Sequence, residues 1–352
     1  MKDSHTPALH HVALLAGGPS DERTISLLSA RSAHDALVRA GVRVTSVRVC
    51  RDGRWAFGVL PGDSEPEDNL LSPGRALAEL EALAPDAVLN LIHGPYGEDG
   101  TLQGALDVLG MAYMGSGVLA SALAMNKPHS KAVLAAAGVP VAQGLTVRSA
   151  AWATDAHSVH EAVAALGFPV FVKPSAMGSS LGSGRANDAV ELDTRLTDTF
   201  AHAHEALIEP LLVGREFTVP VLEDPHTGKP EALAVIEIRP IGHAFFDFTS
   251  KYTPGHNEEL CPAPLDGPTT ALLQELGLRA HFALGCEGLS RTDAILTAAG
   301  PVVLEVNTLP GLTTESLIIK AAAHGGLDLG ALIVGQLRLA KRRRAQRQVG
   351  PR

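Results

Sequence analysis

In its first third the chain alternates unbroken apolar runs with stretches of helical period. HVALLAGG (residues 11–18) is a buried-strand run ending in glycines, and PSDERTISLLSARSAHDALVRAG then reads as an amphipathic helix stopping at Gly41. VRVTSVRV and DAVLNLIHG supply two further strands. This strand–helix–strand rhythm predicts an open parallel α/β unit over residues 1–124. AMNKPHSKAVLAAAGVP is read as one helix ending at Gly-Val-Pro, and it opens a central unit over 125–220. There FPVFVKPSAMGSSLGSGRA predicts a strand, a lysine and a glycine-rich loop. ALIEPLLVGREFTVPVL and EALAVIEI read as antiparallel strands, followed by the long loop GHAFFDFTSKYTPGHNEELCPAP, a helix, a hairpin and two closing helices. A third unit over 221–340 and a basic tail over 341–352 complete the expected division.

The hairpin raises a chemical question. RTDAILTAAGPVVLEVNTLPG (residues 291–311) is two apolar runs joined at Gly-Pro, yet it carries Asp293, Glu305 and Asn307. A three-residue loop, Ala298-Ala299-Gly300, would pair Thr297 with Pro301, Asp293 with Glu305 and Arg291 with Asn307. Two carboxylates, an amide and a guanidinium would then share one face. A two-residue loop would slip the pairing and send Asp293 to the other face. Facing carboxylates repel unless a cation lies between them, and oxygen ligands beside substrate phosphates suit Mg²⁺. A solvated polar face is the plainer alternative.

Composition narrows the classes. With 352 residues, 45% hydrophobic and 19% charged, the chain can build two or three cored domains, and 4% aromatic content rests those cores on Ala, Leu and Val. A net charge of −9 argues against a general nucleic-acid binder. Cys50, Cys261 and Cys286 lack metal-ligand spacing and fit a reduced compartment. MKDSHTPALHH has no apolar signal segment and no apolar run reaches spanning length, so a cytoplasmic protein without membrane contact is expected. RLAKRRRAQRQVGPR is read as the solvated, frayed end of the closing helix rather than a polyanion-binding segment. Of eight lysines, Lys127, Lys173 and Lys251 fall inside motifs that carry chemistry.

KPSAMGSSLGSG (173–184) sets Lys173 before a loop whose small residues let backbone N–H groups approach phosphate. No G-K-[ST] follows, so it is not a Walker A loop, and a plain flexible loop is the alternative. AGGPSDER lacks the G-x-G-x-x-G of dinucleotide folds. HGPYGEDGTLQG (93–104) begins where an apolar strand ends, where open α/β sheets bind ligands. His93 is either a site residue or a satisfied loop histidine, and Glu98 and Asp99 can cap the helix from Thr101. Glu22 is a second sheet-end residue or simply a first-turn helix charge. NTLPGLTTESL (307–317) sets a glycine turn before a helix, where N–H groups can hold an anion or a developing oxyanion beside Arg291. The set suits phosphorylating a carboxylate and then displacing phosphate with a nucleophile.

The chain resembles the D-alanine–D-alanine ligases, ATP-grasp enzymes, in LAGGPSDERTISLLSA, HGPYGEDGTLQG, YMGSGVLASALAMNK, FVKPSAMGSSLG, LIEPLLVGREFTV, KYTPGHNEELCPA and EVNTLPGLTTESL. These run in family order from about residue 10 to 335. The resemblance implies an α/β and α+β ATP-grasp fold: an open parallel α/β domain, a central domain, and an antiparallel-sheet domain with a lid loop at about 242–262. It implies that Lys127, Lys173 and Ser180 hold ATP phosphates, with Lys251 reaching them from the lid. Glu209 and the backbone through Leu212 would line the adenine pocket, and Glu216 would take the ribose. Asp293, Glu305 and Asn307 would bind a pair of Mg²⁺ ions, with Mn²⁺ as a substitute. Glu22 would hold the first D-alanine's ammonium, near His93. Arg291 and the Gly311 N–H would form an oxyanion hole, and Ser316 with Leu317 would hold a substrate carboxylate. Ser179 and Tyr252 would join Glu22 in a contact between domains and lid.

The implied activity is ATP-dependent ligation of two D-alanines through an acyl phosphate, for peptidoglycan precursor synthesis, by a homodimer that binds neither nucleic acid nor membrane. The chain departs from the family pattern at Ala176-Met177, Asn126, Leu309 and Pro210-Leu211, none of them a core ligand. Tyr252 favours an amine over a hydroxyl acceptor. Alternatives are a ligase joining D-alanine to D-lactate, D-serine or another acceptor, and a catalytically silent nucleotide-binding protein.

Overall fold

Three sheets carry the fold in the computed structural model, which describes residues 8–178, 182–241 and 257–349. The first has strand order β3-β2-β1-β4. In it β1 (His11–Gly17), β2 (Arg43–Val49) and β4 (Ala87–Asn90) run parallel, as the rhythm predicts, and β3 (Trp55–Phe57) adds an antiparallel edge. Every residue of β1 is buried. The reason is two-sided cover, which gives parallel strands their continuous apolar character. Leu14 and Leu89 pack with Leu37 of α1 (Arg23–Arg39) on one face, while Leu15 and Val88 meet Leu80 of α2 (Pro73–Leu83) and Leu106 of α3 (Thr101–Val108) on the other.

The expected helix over AMNKPHSKAVLAAAGVP is two helices, α4 (Val118–Met125) and α5 (Lys127–Ala136). Asn126 between them is extended (φ −93°, ψ 98°), and its Oδ1 accepts the His129 N–H at 3.2 Å, capping α5. Asparagine thus fills the N-cap role that aspartate also favours.

The second sheet, order β5-β8-β6-β7, is antiparallel and contains β5 (Leu145–Arg148), β6 (Val170–Pro174), β7 (Gly184–Ala186) and β8 (Glu205–Pro210). Behind α6 (Ser149–Thr154), α7 (Ala156–Leu166) and α8 (Ala189–Phe200) close its core, with Val163, Leu192 and Leu196 fully buried. The third sheet runs β12-β11-β9-β13-β14, with β10 beside β9. Its strands are β9 (Arg215–Glu223), β10 (Pro230–Ala232), β11 (Ile236–Pro240), β12 (Asn257–Leu260), β13 (Leu289–Thr297) and β14 (Gly300–Asn307), backed by α9 (Gly267–Leu284). Then follow α10 (Leu317–His324) and α11 (Leu329–Val349).

The β13–β14 register differs from expectation in its route and agrees in its outcome. Thr297 pairs with Gly300, so the loop has two residues rather than three. A bulge then leaves Leu304 unpaired, and Asp293 still faces Glu305 while Arg291 faces Asn307. The short turn and the extra residue cancel, keeping the polar set on one face and Ala294, Val303 and Val306 in the core.

As far as Arg347 the basic stretch is docked rather than frayed. Buried Leu332, Ile333 and Leu337 seat α11 against the first sheet. Lys341 therefore reaches Asp86 and the Ala8 carbonyl, and Arg344 donates to the Gly110 carbonyl (3.0 Å). On the other side Arg342 donates to the Pro225 and His226 carbonyls (3.0 and 2.8 Å), Arg343 pairs with Glu223 (2.5 Å) and Arg347 with Glu287. One helix end ties the first sheet's loops to the third sheet. Among the described residues no single helix is long and apolar enough to cross a membrane.

Candidate active site

The site begins where β1 and β4 end. Glu22 stands at the N-cap of α1, and its carboxylate lies against two glycines. A Cβ on Gly94 or on Gly178 would stand 2.6 Å from Glu22 Oε2. The loop after β4 and the glycine-rich loop of the second sheet therefore converge on one carboxylate. His93 is buried, with Nδ1 3.0 Å from Glu98 Oε1 and Nε2 without a hydrogen-bond partner among the described residues. Burial alone would depress the imidazole, but the hydrogen bond and charge of Glu98, with Glu22 nearby, hold it above its ordinary range. Asp99 accepts from the Tyr96 and Thr101 N–H groups, so it is the local capping residue, whereas Glu98 serves His93.

On the third sheet, Arg291 grips Asp293 with two bonds of 2.9 Å, the side-by-side geometry that guanidinium favours. Thr218 (2.6 Å) and Asn307 (3.1 Å) also donate to the Asp293 carboxylate. Glu305 lies 3.5 Å from Lys127 Nζ, which donates to the Met177 carbonyl at 2.6 Å. One lysine thus joins the glycine-rich loop to the carboxylate hairpin. Asp293, Glu305 and Asn307 offer oxygen donors on one face, and each carboxylate already faces a positive side chain. That donor chemistry fits a hard divalent cation.

Lys173, at the end of β6, is buried with Nζ 2.7 Å from Glu209 Oε2. Lys131 Nζ approaches the other oxygen, Oε1, at 2.6 Å. Leu212, just past β8, and Glu216, on β9 opposite Ile238 and Ile295, are half-buried, and the adjacent Leu211 N–H bonds to the Pro169 carbonyl (3.0 Å).

The loop after β14 closes the set. Ser316 is the N-cap residue of α10, and its Oγ accepts the Thr313 N–H at 3.0 Å. Gly311 packs against it, a Cβ there falling 3.0 Å from Ser316 Oγ. The Leu312 N–H donates to Ser29 Oγ of α1 (3.2 Å), which pins the loop to the first sheet, and Leu317 begins α10. Ser179, Ser180, Lys251, Tyr252 and most of the expected lid lie outside the described residues.

Sequence reasoning missed Lys131 and Arg23. Lys131 sits one turn after Lys127 and shares the buried face of α5 with Leu134. A lysine on the apolar face of a helix was the available signal. Arg23, also buried, donates to the Gly18 (3.0 Å) and Val49 (2.5 Å) carbonyls and so holds the turn that carries Glu22.

Residues 133–337 match the family described as D-ala D-ala ligase C-terminus, and residues 11–116 match D-ala D-ala ligase N-terminus. A D-alanine--D-alanine ligase of Oleidesulfovibrio alaskensis is 42% identical over 325 residues, covering 92% of this chain and 94% of its own. Its counterpart in Mycolicibacterium smegmatis is 36% identical over 364 residues, covering 95% and 96%. Among solved structures, the VanG D-Ala:D-Ser ligase from Enterococcus faecalis aligns with a TM-score of 0.79 at 27% identity, over 95% of this chain and all of that one. The D-alanine-D-alanine ligase from Coxiella burnetii aligns at 0.78 and 26% identity, over 97% of each chain. With both family regions matched in order along one ATP-grasp architecture, the chain belongs to the D-alanine–D-alanine ligase family.

Proposed function

We propose that this protein joins two molecules of D-alanine to D-alanyl-D-alanine, converting ATP to ADP and phosphate through an acyl-phosphate intermediate, for peptidoglycan precursor synthesis. The observation that carries the reading is Lys127, whose ammonium contacts both the glycine-rich loop at Met177 and the hairpin carboxylate Glu305. A phosphate group between loop and hairpin would meet that charge directly.

The first D-alanine's ammonium would be held by Glu22, with the buried His93 close by. Its carboxylate attacks the γ-phosphate, and the amine of the second D-alanine then attacks the acyl carbon and expels phosphate. Arg291 and the Gly311 N–H would stabilise the oxyanion that forms, while Ser316 and Leu317 would hold the acceptor's carboxylate. Lys173 and Lys127 would position the phosphates, joined by Ser180 and Lys251, and Glu209, Leu212 and Glu216 would line the nucleoside end. Asp293, Glu305 and Asn307 would hold Mg²⁺, or Mn²⁺, which supplies positive charge to the phosphate oxygens. A cytoplasmic homodimer is the setting this reading implies.

D-Serine as acceptor is the second reading, supported by the likeness to the D-Ala:D-Ser ligase. Tyr252, on which the acceptor argument rests, lies outside the described residues. The test is ADP release from Mg-ATP with D-alanine alone, then with D-serine or D-lactate added, followed by product identification. D-alanine-dependent turnover to the homodipeptide is expected. Turnover only with a different acceptor would overturn the substrate, and no turnover at all would overturn the enzyme.

A further inference from the structure

Lys131 is a buried cation with no role in the scheme above. Its side chain is 8% exposed and contacts Glu209 Oε1 at 2.6 Å, while Lys173 takes Oε2 at 2.7 Å. Glu209 itself is 4% exposed. Two ammonium groups thus share one buried carboxylate, one on each oxygen. The sharing is unequal in consequence. Lys173 ends β6 at the mouth of the glycine-rich loop, whereas Lys131 is enclosed between α5 and the β14 backbone, with the Val303 carbonyl 3.5 Å from its Nζ.

Lys173 cannot hold a phosphate and Glu209 equally well with the same proton donors. If its ammonium turned to a phosphate, a carboxylate with no second cation would be left uncompensated, and that state is strongly disfavoured. Lys131 removes the difficulty, because Glu209 keeps one counter-charge whichever way Lys173 points. Burial, and the repulsion of Lys173, pull Lys131 down to about 8 against the attraction of Glu209. Glu209 is held below its usual range, its burial penalty outweighed by the two lysines. The carboxylate is therefore the firmly ionised partner, and it is the lysines that share it.

We infer that Lys131 is a positioning residue for the nucleotide: a fixed counter-ion to Glu209 that releases Lys173 to the phosphates. The inference rests on the ATP-dependent reading of the site. Steady-state kinetics on Lys131→Met, Glu209→Gln and the double variant, alongside the wild type, test it. Lys131→Met is expected to raise KM for ATP at least tenfold while KM for D-alanine changes less than twofold. Glu209→Gln removes the charge that Lys131 balances, so the double variant should match Glu209→Gln alone in KM for ATP within twofold. A general packing defect would move both Michaelis constants and would not be masked in the double variant.

A folded Lys131→Met with KM for ATP within twofold of wild type overturns the inference, and so does a double variant tenfold worse than Glu209→Gln. If Lys131→Met does not fold, the comparison of the double variant with Glu209→Gln decides the matter. An inactive wild type would count against the proposed function instead, which keeps the two failures apart.

Discussion

Glu22 and Gly178 touch across the boundary between the first and second sheets: a Cβ at position 178 would stand 2.6 Å from Glu22 Oε2 and 3.0 Å from Oε1. The backbone at 178 is not left-handed, so alanine there meets no conformational objection of its own. Its effect should come from displacing the carboxylate. Gly178→Ala is expected to lower kcat/KM for D-alanine about 100-fold, the scale of a displacement near 1 Å in a positioned group. Gly74→Ala, with nothing within 4 Å of the new Cβ, should leave kinetics unchanged. Equal behaviour of the two variants would remove Glu22 from the site.

Arg291 holds Asp293 through a two-bond contact that lysine cannot copy. Arg291→Lys should therefore reduce kcat by about 100-fold or more, the usual loss for one oxyanion donor, with KM for ATP nearly constant. A kcat within a few-fold of wild type would mean that Arg291 only orders the hairpin.

The arginines of α11 should differ sharply in their contribution to stability. Arg343 meets a Glu223 carboxylate that is 6% exposed and that would keep the Gly288 N–H (2.6 Å) and a neighbouring His281, so Arg343→Met should cost about 2 kcal/mol, the scale of one lost hydrogen bond to a buried charged group. Arg347 is half exposed and pairs with a partly exposed Glu287, so Arg347→Met should cost under about 1 kcal/mol. Urea unfolding of both variants reads the difference. Equal losses would show that the helix end acts as one diffuse charge.

Asp86 supplies a pH signature for the same helix. Burial opposes its ionisation, but the Lys341 bond and the His10 and His11 N–H groups outweigh it and hold the carboxyl at about 2, against 3.8 when free. A depressed carboxyl stabilises the fold above its unfolded value and loses that contribution as pH falls through the folded one. Asp86→Asn should be less stable than wild type at pH 7 by about 1 kcal/mol, after allowance for solvent screening. The gap should narrow between pH 4 and pH 2, and a gap that widens on acidification would contradict the assignment.

Elements with strong local signals were legible in the sequence. β1 is a doubly covered strand and was read from its unbroken apolar run. The break at Asn126 was not, because Met125 and Lys127 are both good helix formers and the interruption comes from a cap chosen by tertiary context. The hairpin gave the right facing pairs from a wrong turn, since no composition rule foretells a bulge at Leu304. Of the site, the sheet-end residues and the hairpin polar set were visible as motifs. The Lys131–Glu209–Lys173 cluster joins residues 131, 173 and 209 from three elements, so only packing reveals it. The basic stretch misled for the same reason: its carbonyl and carboxylate partners lie more than 50 residues away in the chain.

The docking of α11 on the first sheet also has a meaning in time. Leu14 and Leu89 share their core with Leu332, Ile333 and Leu337, so that face of the earliest strands waits for nearly the whole chain to be translated. At about 5–20 residues per second the wait is roughly 15–60 s. Over that interval the sheet face lacks the α11 side chains that complete its cover. Until α11 docks, the ribosome-bound chain carries apolar surface that the finished enzyme hides, which is the kind of surface a holding chaperone covers.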